Sequence, residues 1–282
     1  MSLQKRKVDL VVLSDVHLGT YGSRADELLN YLRSISPKRV ILNGDLIDIW
    51  QFKKHYWPKN HTAILRHFMQ LLREGVQVDY ICGNHDELMR RYLGFELGTF
   101  SITNHVMLTQ NDKKVWVFHG DAFDKSMHKK WLAKWGGRWY DRTIRLNKVL
   151  NSVTAKFGGR PRYISKAIKD GVKGLVKKKN NWEEIVANAA IDKGYDMVVV
   201  GHIHKPEMRE IVTEKGSVMY LNCGDWMENL TSLEYNEGKW SLYHYEEETF
   251  VTQPEQVPVT EEELTDDLTF ALMLQEFGMA TV

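Results

Sequence analysis

Five short motifs rich in histidine and aspartate, each preceded by an apolar run, constrain this chain more than any other feature. In order they are Asp15-Val16-His17, Gly44-Asp45-Leu46-Ile47-Asp48, Gly83-Asn84-His85-Asp86, His119-Gly120-Asp121 and Gly201-His202-Ile203-His204. The runs that lead into them (Val8–Ser14, Arg39–Asn43, Gln77–Cys82, Val115–His119 and Met197–Val200) are short and rich in β-branched residues, as strands buried on both faces are. Helix spacings lie between them: Leu28, Leu29 and Leu32 in residues 24–34, then Ile64, Leu65, Phe68, Leu71 and Leu72 in residues 61–74. Val218–Asn222 is a further expected strand, and Trp240–Tyr245 alternates like a strand with one exposed face. Strands interleaved with helices predict an α/β domain whose early strands run parallel. Such sheets place their ligand sites at the carboxyl ends of the strands, so five loops are expected to converge on one edge.

Each motif alone has a bland reading, because Asp-x-His or Gly-Asn-His is most often only a turn. Five of them in order, each at a strand end, outweigh that reading. Mixed imidazole, carboxylate and carbonyl ligands suit divalent first-row metals. Two such ions about 3.5–4 Å apart clamp the attacking and leaving oxygens of a phosphoryl transfer, and they turn a bridging water into hydroxide near neutral pH. A bridge between them needs two oxygens and negative charge, which makes Asp45 the bridging candidate. Asp15, His17 and His204 are assigned to one ion; Asn84, His119 and His202 to the other. Manganese is the expected metal, with iron or zinc as alternatives.

In order and spacing these motifs resemble the calcineurin-like metallophosphoesterases, over Val8–Asp121 and Asp196–Asp225, about half of the chain. The resemblance implies an α/β fold of two packed β-sheets flanked by helices, with the same seven residues as metal ligands. It also implies that His85, oriented by Asp48, is a proton donor or an electrostatic helper, while Asp86 is left a structural role. Within the family the chain looks most like the UDP-2,3-diacylglucosamine hydrolases of lipid A synthesis. The phrases His119-Gly120-Asp121-Ala122-Phe123-Asp124 and Asn222-Cys223-Gly224-Asp225-Trp226 carry that likeness. The dedicated lipid A enzyme has arginine where this chain has His85. The implied reaction is hydrolysis of a phosphodiester or pyrophosphate, with a nucleotide-linked, acylated, UDP-diacylglucosamine-like substrate. The alternatives are a phosphodiesterase or nuclease acting on a different nucleotide substrate, and an inactive scaffold of the same fold. The scaffold predicts lost ligands, and none of the seven is lost.

Charge is strongly segregated. Residues 122–182 hold seventeen Lys and Arg against three Asp, a net of +14 in a chain whose formal net charge is +1. Met127, Trp131, Trp135 and Trp139 recur at helical spacing there, and Gly136-Gly137 is expected to weaken that helix. A core role for these apolar residues is the plainer reading. The basic excess is too lopsided for ordinary solvation and points to an anionic membrane surface or ligand. Nucleic acid ranks lower, since no reading motif accompanies the charge. The expected organisation is a core of residues 1–121 and 191–250, a basic helical insertion over 122–190 acting as a cap, and an acidic tail over 251–282. Candidate substrate contacts are Lys129, Trp131, Lys134, Trp135, Arg138 and Asp225. From Glu246 onward there are ten acids and no Lys or Arg. Cys82 and Cys223 read as buried reduced thiols. With no secretory segment and no apolar run near ~20 residues, a cytoplasmic protein is expected, peripheral on the inner face of the membrane.

Overall fold

The computed structural model describes residues 5–51, 56–124 and 182–246. Strands β1 (Arg6–Leu13), β2 (Ile35–Asn43), β3 (Gln77–Ile81) and β5 (Phe100–Thr103) lie side by side in parallel. The two-residue β4 (Glu96–Leu97) pairs antiparallel with β5 at one edge. At the other edge β11 (Thr231–Asn236) and β12 (Lys239–His244) add antiparallel to β1, completing a seven-stranded sheet in the order β12-β11-β1-β2-β3-β5-β4. A second sheet orders β6 (His105–Gln110), β7 (Lys113–Phe118), β8 (Met197–Val200), β10 (Gly216–Asn222) and β9 (Glu207–Thr213) as β6-β7-β8-β10-β9. In it β7, β8 and β10 run parallel, and both edge strands are antiparallel.

Period-two alternation builds the layers. On β1, Leu10 and Val12 face the second sheet and meet Val115, Val117, Val199 and Leu221 in the inter-sheet core. Val11 and Leu13 point the other way, against helices α1 (Ala25–Ser34) and α2 (Lys59–Arg73), which contribute Leu28, Tyr31, Leu32, Ile64, Phe68 and Leu71. Helix α3 (Trp182–Asp192) covers the far face of the second sheet with Val186, Ala187 and Ala190. The result is a helix–sheet–sheet–helix sandwich, the architecture that the family resemblance implies. Cys82 and Cys223 are buried and unpaired.

Three differences from the sequence-based expectation have physical causes. Strand β2 begins at Ile35 rather than Arg39, because Pro37 reads as a strand boundary, yet here it pairs with Val8 near the strand's start. Strand β11 is polar, so it carries no apolar signature. Its Glu234 is nonetheless buried, held by Arg6 (2.5 and 2.7 Å) and by the Tyr31 hydroxyl (2.7 Å). Residues 182–190, expected within the insertion, instead form most of α3 and pack in the core, since Trp182, Val186, Ala187 and Ala190 fall on one helical stripe. Residues 125–181 of the insertion, with the candidate contacts Lys129, Trp131, Lys134, Trp135 and Arg138, and the tail beyond Glu246 lie outside the described residues.

Candidate metal centre

The loops after β1, β2, β3, β7 and β8 do meet at one edge, and their backbone is strained where the candidate ligands sit. Asp15, His17, Asp45, His202 and His204 all adopt positive φ, between 52° and 67°. Left-handed backbone at non-glycine residues costs about 1–3 kcal/mol each and persists only where surrounding packing enforces it. That packing is present, since a fully buried aliphatic side chain contributes about 1.5–3 kcal/mol and all three layers are built of them. Two glycines make the crowding possible. Gly44 (φ 82°) passes so close to His119 that a Cβ would strike the imidazole. At Gly83 a Cβ would collide with the Asp45 carboxylate.

One group of potential ligand atoms comprises Asp15, His17 and His204, and a second comprises Asp15, Asp45 and His119, with the atoms of each group lying within 4.8 Å of one another. Asp15 Oδ1 is 3.0 Å from His204 Nε2 and 3.8 Å from His17 Nε2. Its other oxygen accepts the His202 backbone N–H at 2.9 Å, tying the first and last motifs together. Asp45 lies between the groups: Oδ2 is 3.2 Å from His119 Nε2 and 4.0 Å from His17 Nε2, while Oδ1 accepts the His85 backbone N–H at 2.8 Å.

The buried polar atoms test whether this geometry suits a cation. Asp15 Oδ1, His17 Nε2, His119 Nε2 and Asn84 Oδ1 are buried without a hydrogen-bond partner. Orphaned buried polar atoms are costly, and four with metal-ligating chemistry on adjoining loops match the donor set of a cation site. The imidazoles are also turned for it. His17 directs Nδ1 to Asp48 Oδ2 (3.1 Å) and His119 directs Nδ1 to the Asn43 carbonyl (2.8 Å), which leaves both Nε2 atoms facing the site.

The electrostatics agree. Burial opposes charge on His119, but Asp45 and Asp15 outweigh it and push its pKa up to about 10. His17 and His204 are raised as well, with burial opposing and nearby carboxylates prevailing, Asp15 foremost. Asp15, Asp45 and Asp48 are held well below the ordinary carboxylate range; burial resists, and the surrounding imidazoles overcome it. Asp86 is shifted the opposite way, to about 6, by burial and by the charge of Asp45. It accepts from Leu46 N (3.0 Å), Gly83 N (2.6 Å) and the Tyr80 hydroxyl (2.5 Å), clasping the second motif to the third as its structural reading expects.

His85 Nδ1 lies 2.8 Å from Asp48 Oδ2, so Asp48 serves both His17 and His85. Asp48 is itself fixed by the Gln51 backbone N–H (2.8 Å). Asp225 differs from its expected place beside substrate. It is fully buried, where it caps the turn through the N–H groups of Met227 (2.8 Å) and Glu228 (2.6 Å) and faces His204 Nδ1 at 4.0 Å. It therefore sits behind a candidate ligand, His204.

Three neighbours of the centre were not assigned to it from the sequence. Trp50 packs at a tilt against His85 with ring centroids 4.7 Å apart, Asp124 Oδ2 lies 3.1 Å from His202 Nε2, and Trp182 lies beyond that imidazole at 6.2 Å. Trp50 sits two residues past a quoted motif, and Asp124 ends the longer phrase that begins at His119, which is the signal the sequence offered for each.

Residues 8–206 match the family model described as calcineurin-like phosphoesterase. The UDP-2,3-diacylglucosamine hydrolase of Aliivibrio fischeri strain MJ11 is 23% identical over 251 residues, covering 84% of this chain and 98% of that protein. The enzyme of the same name from Blochmanniella pennsylvanica strain BPEN is 27% identical over 240 residues, covering 82% and 93%. Among solved structures, Yfce, a phosphoesterase from E. coli, aligns with a TM-score of 0.40 at 12% identity, covering 84% of this chain and 99% of that one.

Proposed function

We propose, for a chain that belongs to the calcineurin-like phosphoesterase family and is a metal-dependent hydrolase, that it cleaves a phosphodiester or pyrophosphate bond of a UDP-diacylglucosamine-like nucleotide lipid. The observation that carries the reaction class is Asp45 Oδ2 lying between His119 Nε2 and His17 Nε2, among buried donors with no other partner. Asp15, His17 and His204 would hold one cation and Asn84, His119 and His202 the other, with Asp45 available to both. Manganese is the ion proposed, because metal availability decides more than intrinsic affinity does. Such cations supply Lewis-acid polarisation of the phosphoryl oxygens and of water.

The chain's own residues do the rest. Asp48 orients His85 through Nδ1, and His85 as imidazolium gives its Nε2 proton to the leaving oxygen as water adds to phosphorus and the P–O bond breaks, the proton shed by that water restoring the imidazolium. Trp50 packs beside that imidazole, ring centroids 4.7 Å apart. The nucleotide-lipid substrate is supported by relatives of that name that align along nearly their whole length. The deciding experiment compares UDP-2,3-diacylglucosamine, nucleoside diphosphate sugars, bis-p-nitrophenyl phosphate and single-stranded DNA with Mn²⁺. Preference for the acylated nucleotide by orders of magnitude supports the reading. Preference for another pyrophosphate, diester or DNA replaces it, an outcome that His85 in place of arginine keeps open.

The basic insertion is proposed to bring the enzyme to an anionic membrane surface on its cytoplasmic face and to hold the acyl part of the substrate, with Lys129, Trp131, Lys134, Trp135 and Arg138 as contacts. No helix among the described residues is long and apolar enough to cross a membrane. Reversing Lys129, Lys130, Lys134 and Arg138 to Glu should abolish binding to anionic liposomes and spare turnover of a small soluble diester. Equal liposome binding by both proteins across salt concentrations overturns the membrane role.

A further inference from the structure

We infer that Asp124 is a positioning residue: it fixes which nitrogen of His202 is offered to the second cation. The inference rests on the two-cation reading above and adds a residue to it. His202 is held at two points. Its backbone, at φ 67°, is pinned through its N–H to Asp15 Oδ2 at 2.9 Å. That leaves the imidazole free to turn about its side-chain torsions unless something holds the ring. Asp124 Oδ2, 3.1 Å from Nε2, does so.

A neutral imidazole has one N–H and one lone pair, and the nitrogen that donates to a carboxylate leaves the other as the ligand. His17 and His119 are anchored through Nδ1 and present Nε2. His202 is anchored through Nε2, so Nδ1 is the atom it presents. The reversed sense follows from where the anchor comes from. The anchors of His17 and His119, Asp48 and the Asn43 carbonyl, belong to the β2 strand and the loop after it. Asp124 instead closes the short turn after the fourth motif, its own N–H bonded to the Asp121 carbonyl at 3.1 Å. Arg90 grips Asp121 at 2.8 Å and steadies that turn. The His202 side chain is 9% exposed and that of Asp124 21%, so the pair is shielded beyond an ordinary surface ion pair, and it retains orienting force. Trp182 lies 6.2 Å beyond the same ring, at the other end of the segment that Asp124 begins. The first residue before that segment and the first helical residue after it thus both border one candidate ligand.

The test titrates the full-length protein with Mn²⁺ against a competing chelator. Wild type is expected to bind two ions in two steps. Asp124→Ala should weaken the second step by about 10- to 100-fold, the usual effect of losing an orienting partner, and leave the first unchanged. Asp124→Glu should recover part of the loss. Equal weakening of both steps would make Asp124 a scaffold residue and overturn the inference, as would no weakening at all. A second readout needs no metal: imidazole ¹H–¹⁵N spectra of the chelated protein, with His202→Asn assigning the resonance. His202 should be the Nε2–H tautomer in wild type and a mixture in Asp124→Ala; an Nδ1–H tautomer in wild type overturns the inference. A wild type that binds fewer than two ions defeats the two-cation reading instead, and the tautomer still judges Asp124.

Discussion

The two halves of the centre are built differently. Asp15, His17 and His204 form a tight group on two loops, with Asp15 and His17 separated by a single residue and the His17 and His204 ring centroids 5.4 Å apart. The other half is dispersed. His119 joins Asp15 and Asp45, but among the described residues His202 enters no such group; it turns Nε2 to Asp124, and its ring centroid lies 5.3 Å from that of His119. In the first half all three donors are brought within reach of one another. In the second, His119 is buried and anchored in the core, while His202 is turned toward Asp124 at its margin. A preorganised site spends less free energy on ordering and binds its ligand more tightly.

Asp45 touches both halves, so removing its charge tests the comparison most severely. Asp45→Asn should cut kcat on bis-p-nitrophenyl phosphate by about 10³-fold or more, since a metal clamp supplies several kcal/mol and each 1.4 kcal/mol is tenfold. Normal turnover with two bound ions would show that the halves do not share this carboxylate.

His85 sharpens the boundary of the tight half, because His17, Asp48 and His85 also lie close enough to form a ligand group. His85→Ala should lower turnover by roughly 10²–10⁴ while both ions remain. Elemental analysis of the purified variant decides it: a missing ion would make His85 a ligand.

The difference in preassembly should appear as two steps in a Mn²⁺ titration, the tighter exceeding the weaker by roughly tenfold or more. His204→Ala should remove the tight step and His119→Ala the weak one. The reverse assignment would refute the comparison.

The smallest expected effect is on pH. With pKa values raised above that of free imidazole, His17, His119 and His204 hold protons that an arriving cation must displace. Binding should therefore release protons at pH 7 and weaken as the pH falls. Above about 10, where His119 has lost its proton, the pH dependence contributed by that residue should vanish. Affinity changes by up to about tenfold per pH unit for each proton displaced. Weakly buffered titration reads the release directly, and an absence of released protons would contradict the electrostatic picture.

Most of the fold was legible because local signals carried it. Continuous β-branched runs marked β1, β3, β7 and β8, and 3.6-residue spacing marked α1 and α2. The elements that escaped lack such signals. β11 buries Thr231, Ser232 and Glu234, polar residues whose partners Arg6 and Tyr31 lie some two hundred positions away. β6 and β9 are edge strands with much of their surface exposed. Asp225 shows the limit for a single side chain: its acidity and its place after a motif were visible, but its burial was not.

The sequence by itself determined the ligand chemistry and its placement. Residue types are fixed by the gene, and motifs that follow parallel strands of the same sheet, as those after β1, β2 and β3 do, must emerge at the same edge; the packing of the second sheet brings the motifs after β7 and β8 to join them. Only the tertiary structure decided how those residues are aimed. It set Asp45 between two imidazoles, put five candidate ligands into left-handed backbone, turned His17 and His119 through Nδ1 but His202 through Nε2, and drew Asp124 to a ligand 78 positions away. Orientation depends on which hydrogen-bond partner a side chain meets across the fold. Partners so far apart in the chain leave no periodicity between them.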